Sequence, residues 1–233
     1  MAESRVPSED LLVIDISYTF DDGRASHVSP GAAILEEFGL AGTFYVCPGL
    51  IRKDRYGWKP KDTVYELASW GEIEAACRGG HEIGNHSWSH IVFNEKTKGR
   101  TDKEVENIAG IEIGAAAMML KDELKQKCFS WAWPCYQEEP RVQKWIDRLH
   151  VGVRPSRPRG PYGALRSKKK FLQDTSDFVD MLIATGRWGV PTIHDLGEGY
   201  GKFPPDVFRK HLEYVLSKKE IRVRTVAEVL SEA

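Results

Sequence analysis

The sequence lacks the marks of a disulfide scaffold, a zinc finger, a polyelectrolyte binder and a membrane protein. Its four cysteines, Cys47, Cys77, Cys128 and Cys135, form no C-x-x-C pair and no dense framework. That argues against a zinc-finger reading and for free thiols in a reducing compartment. Neither sign of charge dominates: 33 basic residues stand against 34 acidic ones, so no global field favours nucleic acid or an acidic polymer. The basic tract Ser167 to Lys170 reads as a solvated loop. No apolar run approaches the roughly 20 residues of a membrane helix. The first residues, MAESRVPSEDLLVIDIS, carry neither the basic n-region nor the apolar h-region of a secretory signal. The expectation is a soluble chain, cytoplasmic as it stands or secreted if it is a trimmed mature form, with no membrane partner and an oligomeric state the sequence leaves open. Internal repeats and low-complexity tracts are also missing.

What is present is an alternation of short β-branched and aromatic runs with segments of helical period. At 233 residues and 41% hydrophobic, the chain can bury a substantial core. Strands are expected at Leu11–Thr19, Gly42–Cys47, His81–Asn85, Phe129–Trp133, His150–Val153, Val190–His194 and Ile221–Arg224. Helix starts are signalled by the capping-box spacing of Ser69 with Glu72, Thr101 with Glu104 and Thr225 with Glu228. A helix from about Gly31 to Phe38 ends at Gly39, and PPDVFRKHLEYVLSK begins with proline where a first turn tolerates it. Alternating strands and helices imply a mostly parallel α/β sheet, and about seven strands suggest a distorted, incomplete (β/α) barrel. Arg154 to Lys170, rich in Pro, Arg and Lys, is expected as a long exposed loop inside a single domain spanning 1–233.

In such architectures the functional groups collect at the carboxyl ends of the strands. There the chain places YTFDDG, with Asp21 and Asp22 adjacent. A regular strand would send them to opposite faces, but Gly23 lets the alternation break so that both turn into one cleft. Two crowded carboxylates call for a cation. HEIGNHSWSH sets His86 and His90 four apart just past the third strand, a spacing that brings two imidazoles to one ion. One carboxylate with two histidines makes a three-ligand site with positions open for water and substrate. Taken alone, H-x-x-x-H is as compatible with a solvated face. In PTIHDLGEG, His194 closes an apolar run, where an imidazole can exchange a proton near neutral pH or can simply bond to backbone.

The ordered set TFDDG, HEIGNHSWSH, a W-P-x-Y element at Trp133 to Tyr136, and TIHD resembles the polysaccharide deacetylase family, also called NodB homology or carbohydrate esterase family four, from about Leu11 to Ala227. The resemblance implies Asp22, His86 and His90 as metal ligands, Asp21 as catalytic base, His194 as the acid for the leaving group, and a backbone N–H near Tyr136 as an oxyanion donor. It also implies removal of an acetyl group from an N-acetylated amino sugar or polysaccharide with a divalent metal, zinc first, with cobalt, nickel or manganese as alternatives. Many members carry an arginine in the third motif that orients the base; here Trp133 stands at or near that place. The acidic partner of the acid histidine has no clear counterpart, with Asp174, Asp177, Asp180 and Asp195 all open. Trp88, Trp133, Tyr136, Trp188 and Tyr200 are sugar platforms or packing residues. Cys135 either approaches the metal or fills space. His27, in the loop after the aspartates, either lines the cleft or, as the commoner case, lies in solvent; His81 is expected in local packing, and His150 and His211 carry no signal. Two other readings remain: a C–N hydrolase of a small cyclic imide or ureide on the same scaffold, and a catalytically silent sugar-binding relative.

Overall fold

The structure, a computed structural model, describes residues 12–51, 55–58, 63–126, 129–156, 160–161, 168–197 and 202–232. The first apolar run forms two short strands, β1 (Ile14–Ile16) and β2 (Thr19–Phe20), and helix α1 (Ala25–Glu37) follows the aspartates directly. Strand β3 (Thr43–Val46) leads through a single helical turn, α2 (Pro48–Ile51), to a hairpin of β4 (Arg55–Trp58) and β5 (Thr63–Glu66). Next come α3 (Trp70–Arg78), β6 (Glu82–Asn85), α4 (Phe93–Lys96) and α5 (Asp102–Ala109), the last passing through a π-helical segment, Gly110–Ala115, into α6 (Ala116–Leu124). The chain continues with α7 (Gln143–Leu149), α8 (Lys168–Thr185), β7 (Thr192–Ile193), α9 (Pro205–Leu216), β8 (Ile221–Val223) and α10 (Val226–Leu230).

All three capping boxes form. Ser69, Thr101 and Thr225 each accept from the backbone N–H three residues on, and the glutamate at that position reaches back. Each satisfies orphan donors at a helix start and stabilises it by about 1 kcal/mol. Gly39 closes the turn after α1 with φ +67. The expected start of α1 near Gly31 is corrected: the helix begins six residues earlier and carries Pro30 inside it. This brings His27, expected in solvent, into the interior at 0% exposure.

Strands β6, β3, β2 and β7 lie side by side in that order, all parallel, and β1 pairs in parallel with β8. Six strands therefore run parallel among the described residues, one fewer than expected. The runs Phe129–Trp133 and His150–Val153 do not become strands. They hold single parallel rungs, Asn85 to Trp131 and Trp131 to Val153. Pro134 ends the first run, and the second is shortened because His150 caps α7, its N–H bonding to the Ile146 carbonyl. The antiparallel hairpin β4–β5 was not anticipated.

Among the described residues no ladder joins Val153 to β7. Two side-chain bonds span that side instead: Arg154 Nη1 to Thr19 Oγ1 at 3.2 Å and Tyr136 Oη to Thr192 Oγ1 at 3.2 Å. The core fills the space between sheet and helices. Phe20 stacks on Phe44 with centroids 4.6 Å apart, and Ile16, Leu35, Ile83, Ile193 and Phe208 are fully buried around them. Burial of each such side chain contributes about 1.5–3 kcal/mol. Among the described residues no helix is long and apolar enough to cross a membrane.

The register decides where the chemistry sits. Phe20 pairs with Phe44 and with Ile193, and Val46 with Asn85. Asp21, His86 and His194 therefore each follow the last residue of a parallel strand, at one rim of the sheet, and Arg154 follows the last bridged residue, Val153.

Candidate metal and catalytic site

The break in strand alternation expected at Asp22 is present in the backbone. Asp22 has φ +71 and Gly23 φ +66, two consecutive left-handed residues that turn the second carboxylate back towards the first. A Cβ on Gly23 would meet Val46 Cγ1 at 3.2 Å, so the turn also packs closely on β3. The histidine loop is held in a comparable way, with Ser87 at φ +67 and His90 at φ +59. Asn85 Oδ1 accepts from Ser87 N, and Ser87 Oγ accepts from Ile91 N. Left-handed conformations cost most for residues with side chains, and these bonds offset the cost.

Asp22, His86 and His90 come together with one ligand atom each, all within 4.8 Å of one another and all buried. Asp22 Oδ1 lies 3.2 Å from His90 Nε2 and 3.6 Å from His86 Nε2. His86 Nδ1 donates to the Ala132 carbonyl at 2.9 Å, which leaves the Nε2 lone pair directed at the carboxylates. Burial pushes the His86 imidazole down to about 4 against the opposing charges of Asp21 and Asp22, so the ring is neutral at physiological pH, the form that binds a metal. For Asp22, burial acts to raise the pKa, but the His90 hydrogen bond and the charges of His90, Arg24 and His86 hold it well below the ordinary carboxylate range. Two imidazoles and one carboxylate, facing each other and shielded from water, fit a divalent ion.

Asp21 stands beside this trio at 2% exposure. Arg154 grips it with both arms of the guanidinium: Nη1 donates to Oδ1, and Nη2 to Oδ2 at 2.9 Å. Burial opposes ionisation of Asp21, but Arg154 outweighs it, followed by His86 and His194, bringing the pKa to about 2. The guanidinium lies over the rings of Tyr45 and Tyr136, 4.6 and 5.2 Å from their centroids. The arginine missing from the third motif is thus supplied from elsewhere in the chain. Arg154, expected at the start of an exposed loop, is 4% exposed and meets Asp21. Its only sequence signal is its place directly after the fifth apolar run.

His194 Nε2 lies 3.8 Å from Asp21 Oδ2, and its side chain is 46% exposed, the one open group in the cluster. Asp174, Asp177 and Asp180 do not approach it. They bond to Lys170, Gln173 and Tyr214 along α8 and α9. Asp195 turns instead to Arg24, with Oδ2 3.6 Å from Nη1. Buried His27 ties the two loops, its Nδ1 donating to the His194 carbonyl at 3.1 Å and its Nε2 accepting from Arg24 N at 3.3 Å.

Of the aromatic residues weighed as platforms or packing, Trp133 takes the packing role: at 6% exposure it lies edge-on against Phe93 and Trp131. Trp88 is half-buried, its ring filling the space where Gly49 has no Cβ. Tyr136 is half-buried with φ +55, following Cys135 at φ +52. Trp188 bonds Ser17 through its indole N–H. Tyr200 lies outside the described residues.

A family model described as polysaccharide deacetylase matches residues 13–117. Among solved structures, the chain is similar to the Xyl-CE4 domain of a multidomain xylanase from the hindgut metagenome of Trinervitermes trinervoides. Identity is 17%, coverage is 94% of this chain and 91% of that one, and the TM-score is 0.58. It is also similar to the chitin deacetylase of the fungal pathogen Colletotrichum lindemuthianum, at 14% identity, 94% and 88% coverage and a TM-score of 0.62. A third is BA3943, a CE4 family pseudoenzyme from Bacillus anthracis, at 13% identity, 95% and 67% coverage and a TM-score of 0.60. No curated protein matches the sequence. At these identities the structural likeness carries the fold, a deformed (β/α) barrel.

Proposed function

We propose that the chain, whose residues 13–117 match the family model described as polysaccharide deacetylase, is a member of that family and a divalent-metal-dependent hydrolase removing the acetyl group from an N-acetylated amino sugar. The observation that carries this reading is the buried convergence of Asp22, His86 and His90 beside an independently clamped Asp21. A silent binding relative, for which the similar pseudoenzyme gives precedent, is disfavoured by the completeness of this set.

Asp22, His86 and His90 would hold a divalent ion, which would supply Lewis acidity and make water a competent nucleophile at neutral pH. Asp21 receives the proton that water gives up on attacking the acetyl carbon. Its Oδ2 faces both His86 and His194, while Arg154 fixes the plane of the carboxylate. Arg154 acts as a positioning residue, because it touches the base and not the reacting atoms. His194, open to the rim, donates a proton to the departing nitrogen as the C–N bond breaks, so acetate and a free amine leave. Zinc suits the donor set best, and cobalt, nickel and manganese are chemically compatible.

Replacing Asp21 with Asn keeps the shape and removes the base. Expected is a fall in kcat of about 10²–10⁴-fold with metal uptake retained. Undiminished acetate release by the variant would contradict the assignment.

A further inference from the structure

The two adjacent carboxylates are each met by an arginine, but the two contacts differ in kind. Arg154 occupies both oxygens of Asp21. Arg24 occupies only one oxygen of Asp22: Nε at 3.1 Å and Nη2 at 2.6 Å both donate to Oδ2. The other oxygen, Oδ1, is the one that faces His90 and His86. Arg24 is 5% exposed. A guanidinium taken out of water at that depth is costly unless its charge is matched. The match here comes from Asp22 on one side and Asp195, 3.6 Å from Nη1, on the other.

We propose that Arg24 is a positioning residue that makes Asp22 a one-oxygen metal ligand and fastens the His194 loop to that ligand. The inference rests on the metal-hydrolase reading and deepens it. With two N–H donors on Oδ2, the carboxylate cannot swing to present both oxygens to an ion, so the site keeps coordination positions for water and substrate. The same guanidinium reaches Asp195, next to the acid histidine, and the backbone of Arg24 reaches His194 through His27. The ligand and the acid are therefore set against one another by a single buried side chain.

The test uses Arg24→Met, which removes every donor, and Arg24→Lys, which keeps the charge without the fork. Chelator-treated protein is titrated with Co(II) while the visible absorption is recorded, and kcat and KM are measured with N-acetylglucosamine oligomers. The expected result for Arg24→Met is a weaker Co(II) band, the signature of a higher coordination number, with kcat lower by about 10–100-fold and KM unchanged. Arg24→Lys should fall between the two and decides the matter alone if the methionine variant does not fold. Co(II) spectra superimposable on the wild type in the folded variants would overturn the proposal. A changed spectrum in a protein whose wild type releases no acetate would keep the positioning role and remove the acetyl-sugar reading.

Discussion

Asp21 and Asp22, at 2% and 3% exposure, are as buried as core residues, a placement that neighbouring carboxylates tolerate only when each charge is met. Arg154 serves the first and Arg24 the second. Truncating one partner of such a pair leaves the other charge stranded. Arg154→Gln is therefore expected to cost about 3–5 kcal/mol in chemical denaturation of the metal-free protein. Combining it with Asp21→Asn should recover much of the loss, because removing both charges costs less than removing one. A double variant no more stable than Arg154→Gln would refute the pairing. The carboxylates and histidines of this site were legible because their residue types announce their chemistry and they stand at the ends of apolar runs. Arg154 was not: it meets Asp21 across 133 positions of chain, a contact that depends on which runs become neighbours, and its local context of Pro and Arg reads as a loop. His27 was misread because the helix was expected to begin near Gly31, which left His27 in a loop.

At the scale of elements, the loop carrying His86 and His90 is braced by the π-helical segment between α5 and α6. The wider turn shifts the bonding pattern and frees carbonyls. Glu112 O accepts from Trp88 N at 2.9 Å, and Ile113 O accepts from Asn85 Nδ2 at 3.4 Å. The Glu112 carboxylate holds both Ser89 N at 3.0 Å and Ser89 Oγ at 2.8 Å, one residue before His90. Glu112→Ala is expected to weaken metal binding about tenfold with the fold intact, read by Co(II) titration. Unchanged affinity would show that the loop holds its shape unaided. The capping boxes were readable because the whole device lies within four residues. The strands at Phe129–Trp133 and His150–Val153 were not, because an apolar run states a preference for burial and leaves the number of ladder rungs to its neighbours. Helix registers such as Gly110–Ala115 are set by outside partners, and the local sequence gives no sign of them.

Over the whole molecule, the buried histidines make the fold sensitive to acid. His211, fully buried and hydrogen-bonded to Tyr18 at 2.6 Å, is pushed by burial down to about 3. His150, held between Asn85 and the Ile146 carbonyl, is pushed by burial to about 4. Both lie below the unfolded value of about 6.5. The unfolded chain therefore binds more protons than the folded one below that value, and stability falls as pH drops from about 6.5 towards 4. His211→Gln should flatten the dependence of Tm on pH across that window. An unaltered slope would assign the acid sensitivity to other groups. The barrel itself brings Asp21, Asp22, His86, His90 and His194 together at one rim from strand ends far apart in sequence, and the central claim is that this rim performs metal-dependent deacetylation. The most direct test is acetate release from N-acetylglucosamine oligomers by chelator-treated protein, before and after zinc or cobalt is returned. The account predicts release that disappears on chelation and reappears with metal; release that chelation leaves untouched, or none with metal restored, would contradict it.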